Sequence, residues 1–269
     1  MESLADWQPD QYLRFRDERT QPTVDLARKI DAPPPRRVLD VGCGPGNSTA
    51  VLRSLWPEAE ITGLDSSESM LEKARKISGD IRWVQRDASR DMHDLGTFDV
   101  IFSNAAFQWI PETGELIPRL FDMLAPAGVM AVQAPYVREL PVYAAASRLT
   151  ALPEWEPYFA EPVIYPLHRP CRFYYDILCG LDGRVSMWQT DYIHIMNSHD
   201  DIVEWYKGSG LRPFLNKLPD DDSRRDFLAA YAESLQQAYP VERDGKVLLP
   251  FSRVFFLLYK WDNPKPRAG

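Results

Sequence analysis

Between Arg37 and Gln133 short β-rich runs alternate with stretches whose apolar residues recur at helical spacing. RVLDV (Arg37 to Val41) reads as a first strand, and Asn47 to Trp56 as the helix after it. AEITGL (Ala59 to Leu64) is a second strand, followed by a helix from about Ser67 to Ile77 that serines are available to cap. Ile81 to Gln85, FDVIFS (Phe98 to Ser103) and GVMAVQ (Gly128 to Gln133) supply three more strands, with a helix from about Glu115 to Leu124 before the last. Such alternation with short connections predicts an α/β fold, a parallel sheet with helices on both faces. Ahead of it, Pro9 to Ile30 reads as helical, with Pro22 suited to a helix start, and Pro33 to Pro35 end it.

Beyond Pro135 the rhythm changes. Prolines spaced four or five apart from Pro153 to Pro170 exclude a continuous helix or central strand and predict an ordered loop or covering segment. A short helix around Tyr174 to Cys179 and a strand, Arg184 to Ile195, come next. Helices at Asp200 to Lys207 and Asp222 to Tyr239 lead to a last strand within Val247 to Tyr259. The second half is thus a sixth strand, a helical excursion and a returning seventh strand, with a disordered tail from Asn263.

Composition narrows the partners. In 269 residues, 31 Lys and Arg face 39 Asp and Glu, a net charge of −8 that argues against a phosphate-backbone footprint and hence against nucleic acid. No apolar run approaches the ~20 residues that cross a bilayer. Met1 to Asp10 lacks a signal-peptide pattern, so a cytoplasmic protein away from membranes is expected. Cys43, Cys171 and Cys179 form no CxxC or Cys/His cluster, which suggests neither a disulfide framework nor a metal site. His93, His168, His194 and His199 are scattered, and His93 and His168 read as exposed loop histidines.

The turn Asp40-Val41-Gly42-Cys43-Gly44-Pro45-Gly46-Asn47 places three glycines at alternate positions between a strand and a helix. Glycine there permits positive φ and close backbone approach to a ligand; a tight turn with no ligand is the alternative. A dinucleotide fingerprint would need glycine at position 47, where Asn47 stands, and no Gly-Lys-Ser/Thr ending marks a P-loop.

This G-x-G-x-G turn after a strand ending in an acidic residue resembles the S-adenosylmethionine loop of class I methyltransferases. The resemblance implies a Rossmann-like, seven-stranded, mainly parallel sheet whose last strand is antiparallel, with a helical insertion or cover in the C-terminal half. It implies that Gly42, Cys43, Gly44 and Asn47 cradle the cofactor, with Asp40 near its amino group. Asp65, closing the second strand beside Ser66, would take the ribose diol, unless it merely caps the next helix. Asp87 with Ala88 would meet the adenine, an ordinary loop aspartate being the alternative. Asn104, Ala105 and Trp109, after the fourth strand, fall on the methionine and acceptor side, although Trp109 reads equally well as core.

The motifs Asp6-Trp7-Gln8-Pro9, Tyr12-Leu13-Arg14-Phe15, Gln108-Trp109, Tyr174-Tyr175-Asp176, Gly210-Leu211-Arg212-Pro213 and Phe251-Ser252-Arg253 together resemble the trans-aconitate 2-methyltransferase family over about Asp6 to Tyr259. That resemblance implies methyl transfer from S-adenosylmethionine to a carboxylate of trans-aconitate, a small anionic polycarboxylate. An ionised carboxylate needs no general base, so no catalytic acid or base is expected and alignment carries the rate. Recognition then calls for arginines, with Arg212 and Arg253 leading, Tyr174 and Tyr175 as neutral donors and Lys207 as a weaker candidate; a solvated ion-pair role is the alternative for each arginine. Tyr12 and Arg19, ahead of the first strand, are expected on a helix covering the cofactor. The implied organisation is a cover at 1–31, a cofactor core at 32–135, an acceptor-side cover with the last strands at 136–260, and a tail at 261–269. Competing readings are a methyltransferase for a quinone, phenol or amine, or a non-catalytic cofactor-binding regulator.

Overall fold

The computed structural model describes residues 16–77, 79–137, 140–161, 163 and 167–262, the side chains of 16–19 excepted. Five parallel strands form the first part of the sheet: β1 (Arg37–Val41), β2 (Glu60–Asp65), β3 (Arg82–Gln85), β4 (Phe98–Asn104) and β5 (Leu124–Pro135). Two long strands complete it, β6 (Gly183–Met196) and β7 (Val247–Lys260), in the order β3-β2-β1-β4-β5-β7-β6. β7 runs antiparallel to both its neighbours, as expected of the last strand.

Side-chain alternation along the strands divides the apolar residues between two faces. On one face Leu39, Ile101, Met130, Val132, Val254 and Phe256 pack beneath the helices α4 (Thr113–Asp122) and α6 (Cys171–Leu178). On the other Val38, Val100, Val129, Ala131, Phe255 and Leu257 meet α1 (Arg16–Arg28) and α2 (Asn47–Leu55). The helix α3 (Glu68–Ala74) starts at Ser67, whose hydroxyl accepts the Met70 amide.

Two expectations change. Pro22 lies inside α1 rather than at its start; the helix persists because Leu26 and Ala27 are fully buried against the sheet, which offsets the main-chain bond that proline forgoes. The second half also contains two helices absent from the sequence reading, α5 (Pro141–Thr150) and α8 (Arg212–Leu215), beside the anticipated α7 (His199–Lys207) and α9 (Asp221–Leu235). In both unforeseen helices proline occupies the opening turn, where its missing amide costs nothing.

The register positions these helices. β5 ends at Pro135 opposite Arg253, yet β6 and β7 stay paired from Asp191–Ser252 to Met196–Val247. The ribbon therefore overshoots the carboxyl edge of the parallel strands. Met196, Val247, Leu249 and Phe251 on this overhang join α5, α7, α8 and α9 in a separate core that rises beside that edge. In open α/β sheets ligands bind outside the carboxyl ends of the strands. No helix among the described residues is long and apolar enough to cross a membrane.

Candidate active site at the carboxyl edge of the sheet

The glycine turn is fixed by what surrounds it. Gly42 has φ of 71°, and a Cβ there would fall 2.2 Å from the Cβ of Ala106 in the loop after β4. No other residue fits. The amides of Gly42 and Cys43 both donate to Leu64 O, and Gly44 N donates to Asp65 Oδ2 at 2.8 Å. Asp65 also accepts the Ser67 amide through Oδ1 at 2.9 Å. It thus couples the glycine turn to the start of α3, combining the capping role with a position at the strand tip. Burial pushes its carboxyl above the usual range, against these amide bonds.

Asp40 lies beneath the turn and is fully buried. Its Oδ2 accepts from Ser48 Oγ at 2.7 Å and Thr49 Oγ1 at 2.6 Å, stitching β1 to the first turn of α2 through hydroxyls. Its Oδ1 is buried with no partner among the described residues, and burial raises the carboxyl to about 6. Cys43 is buried alongside, its thiol pushed well up by desolvation. Asn47, the first residue of α2, keeps a buried Nδ2 without a partner among the described residues.

At the tips of the next strands, Ser66 is exposed and its carbonyl takes a bond from Gln85 Nε2. Asp87 is exposed and accepts the Ser89 amide at 2.8 Å, an Asx turn, while Ala88 is buried in the core, leaving only its backbone available to a ligand. Ala105 has φ of 54°, an uncommon conformation for a residue with a Cβ, costing of order 1 kcal/mol. It is held there by Ala105 N donating to Gln133 O at 2.9 Å and Gln108 Nε2 donating to Ala105 O at 2.6 Å. Asn104 presents a buried Oδ1 with no partner among the described residues, and Trp109, half-buried, ends the 3-10 turn Phe107–Trp109. Tyr12 and the side chain of Arg19 lie outside the described residues.

The acceptor-side candidates separate. Arg253 is 4% exposed on β7, so the solvated ion-pair alternative does not hold for it. Arg253 Nη1 donates to Gln133 Oε1 at 3.3 Å, and the guanidinium lies 4.5 Å from the Phe251 ring centroid and 5.8 Å from that of Tyr192. Tyr192 in turn donates to Asp25 Oδ2 at 2.6 Å, tying α1 to the ribbon. Arg212 opens α8, half-buried beside the second core.

Three further candidates differ from Arg253 in their surroundings. Tyr174, 1% exposed, packs with Phe173 and Phe256 on the sheet face opposite the one Arg253 shares with Phe251 and Phe255, because successive strand residues point to opposite sides. Tyr175 is 54% exposed, since neighbouring residues of a helix lie on different faces. Lys207 pairs with Glu204 at 2.8 Å along α7 and serves its own helix.

His168 is also not the exposed loop residue expected. It is half-buried, with Nδ1 3.0 Å from Pro135 O and Nε2 2.9 Å from the Tyr143 hydroxyl. His93 is exposed beside Asp91, as expected. Among the described residues no cluster of His, Cys, Asp and Glu is arranged to hold a metal.

One residue of the site went unforeseen. Gln133 is fully buried, pairs with Asn104 in the β4–β5 register, and links the strained Ala105 turn to Arg253. A polar residue ending an otherwise apolar central strand (GVMAVQ) was its only mark in the sequence.

Comparison with known proteins agrees with this geometry. A family model described as a methyltransferase domain matches residues 38–128, from β1 to the middle of β5. The curated trans-aconitate 2-methyltransferase of Variovorax paradoxus is 42% identical over 262 residues, covering 96% of this chain and 99% of that protein. The chain belongs to the trans-aconitate 2-methyltransferase family. Its Escherichia coli (strain K12 / DH10B) relative is 38% identical, covering 94% of this chain and 98% of its own length. The fold is shared more widely. The YcgJ protein of Bacillus subtilis superposes with a TM-score of 0.59 at 14% identity, covering 90% of this chain and 99% of its own. A phosphoethanolamine N-methyltransferase of Haemonchus contortus, solved with S-adenosylhomocysteine, gives 0.54 at 17% identity over 89% of this chain and 52% of its own. By its family and its methyltransferase domain, this chain is an S-adenosylmethionine-dependent methyltransferase. The residues fit the cofactor: a glycine turn that admits no Cβ at Gly42, a carboxylate at the β2 tip, and buried unpartnered polar atoms on Asn47 and Asn104.

Proposed function

We propose that this protein esterifies one carboxylate of trans-aconitate or a closely similar polycarboxylate, giving a monomethyl ester and S-adenosylhomocysteine. Gly42, Cys43, Gly44 and Asn47 form the cradle, Asp65 with Ser66 takes the ribose, and Asp87 with the Ala88 backbone takes the adenine. Asp40, Asn104, Ala105 and Trp109 face the methionine end. Bound there, S-adenosylmethionine supplies an electrophilic methyl on a sulfonium.

The observation that carries the acceptor assignment is continuity. Gly42 abuts Ala106, Ala105 N bonds Gln133 O, and Gln133 Oε1 bonds Arg253, so a buried cation stands one side chain from the Ala105 turn that packs on the glycine turn. In a protein of net charge −8 such a cation gives a local site for a polyanion. A carboxyl of pKa about 4 is ionised at neutral pH and attacks without losing a proton. The residues then need only to orient it and exclude water. Residues 32–135 hold the cofactor and reach the acceptor through the end of β5, and 136–260 supply Arg253 and the acceptor-side cover. The cofactor cover expected at 1–31 falls outside the described residues up to residue 15; its described part, α1, is tied to β6 beside Arg253 by the Asp25–Tyr192 bond.

The test is methyl transfer from labelled cofactor to a panel of di- and tricarboxylic acids, with base-labile methyl counted. One labile methyl per trans-aconitate supports the reading. Label on carbon or nitrogen of another acceptor, or cofactor binding with no product, overturns it.

A further inference from the structure

Resting on that reading, we infer that Gln133 contacts the carboxylate that is methylated, while Arg253 holds a neighbouring carboxylate of the same acceptor. Arginine carries only donors, so the Gln133 amide must turn its oxygen toward Arg253, and it does, at 3.3 Å. Nε2 then points away, and it is buried with no partner among the described residues. An unsatisfied buried donor is destabilising, and an incoming acceptor oxygen removes that cost.

Position orders the two donors. Gln133 pairs in register with Asn104 and its carbonyl holds the Ala105 amide, so it adjoins the methionine end of the cofactor site. Arg253 stands farther along, opposite Pro135 and over the Phe251 ring.

The charge balance of the reaction favours this order. A lone pair of the carboxylate oxygen forms the O–CH3 bond as the S–CH3 electron pair returns to sulfur; no proton moves, and the carboxylate loses its negative charge. A cation on the reacting carboxylate would stabilise the starting state more than the transition state and slow the step. A neutral amide orients that carboxylate without this penalty, whereas a cation on a carboxylate that keeps its charge contributes binding alone.

The full-length Gln133→Leu, Gln133→Asn and Arg253→Met variants separate the two roles. Steady-state kinetics with trans-aconitate, calorimetric cofactor affinity and thermal unfolding are measured on each. Gln133→Leu should lower kcat by about ten- to a hundredfold with cofactor affinity retained, as expected for lost alignment. Should that variant fail to fold, Gln133→Asn, polar but one methylene shorter, is expected to lower kcat by about tenfold or more. Arg253→Met should raise the acceptor KM by about ten- to a hundredfold with kcat within about threefold. A Gln133 variant that folds with wild-type kcat, or an Arg253 variant that loses kcat at unchanged KM, overturns the inference. Wild-type protein that esterifies no polycarboxylate overturns the function itself, a separate outcome read before any variant.

Discussion

Along the tips of β1 and β2 the polar contacts are made largely by main-chain amides, with Gly42 and Cys43 on Leu64 O and Gly44 and Ser67 on the Asp65 carboxylate. Along β5 and β7 side chains make the contact, where Gln133 meets Arg253 against the rings of Phe251 and Tyr192. The first region is a backbone cradle specified by residues close together in the chain. The second is assembled from elements more than a hundred residues apart and buried by the second core. A backbone cradle suits a ligand shared by every member of a fold; a side-chain site can be exchanged with the acceptor.

Breaking the cradle should have the largest effect. Gly42→Ala places a Cβ against Ala106 at a positive φ, and cofactor affinity should fall by about a hundredfold or more, read by calorimetry. Wild-type affinity would mean that the turn does not need its shape. Asp65→Ala comes next, with an expected loss of roughly 1 to 3 kcal/mol in cofactor binding. It should leave the acceptor KM nearly unchanged, and a combined loss would erase the distinction between the two regions.

A third effect belongs to stability. The Asp40 carboxyl is raised to about 6 from 3.8, so between about pH 4 and 6 the folded protein holds a proton that the unfolded chain has released. Stability should therefore fall as pH rises through that window and level off above it, by up to about 3 kcal/mol. Asp40→Asn should flatten this component in denaturant unfolding from pH 4 to 7. An identical slope in both proteins would refute it. The smallest effects are predicted for Tyr175→Ala and Lys207→Ala, with kcat/KM within about twofold of wild type, because Tyr175 is solvent-exposed and Lys207 already pairs with Glu204.

The same contrast explains what could be read from the sequence. β1 to β5, the glycine turn and the strand-tip residues Asp65, Asp87 and Asn104 follow from local pattern: period, turn chemistry and position after a strand. On the acceptor side, Arg253 was named but its burial was not foreseen, because that depends on β7 pairing with β5 and on the overhang carrying Phe251. Tyr174 and Tyr175 were grouped by adjacency in the chain. On a helix and against a two-faced sheet that adjacency places one ring in the opposite core and the other in solvent. Gln133 and the His168–Tyr143 pair are legible only from long-range register and packing, which no local spacing encodes.

In the proposed site the cofactor cradle and the buried Arg253 meet at Ala105 and Gln133. A crystal structure with S-adenosylhomocysteine and trans-aconitate tests it most directly. The ribose should lie on Asp65, one acceptor carboxylate within hydrogen-bond distance of Gln133 Nε2 and another on Arg253. An acceptor bound away from both residues, or a nucleoside away from the glycine turn, would contradict it.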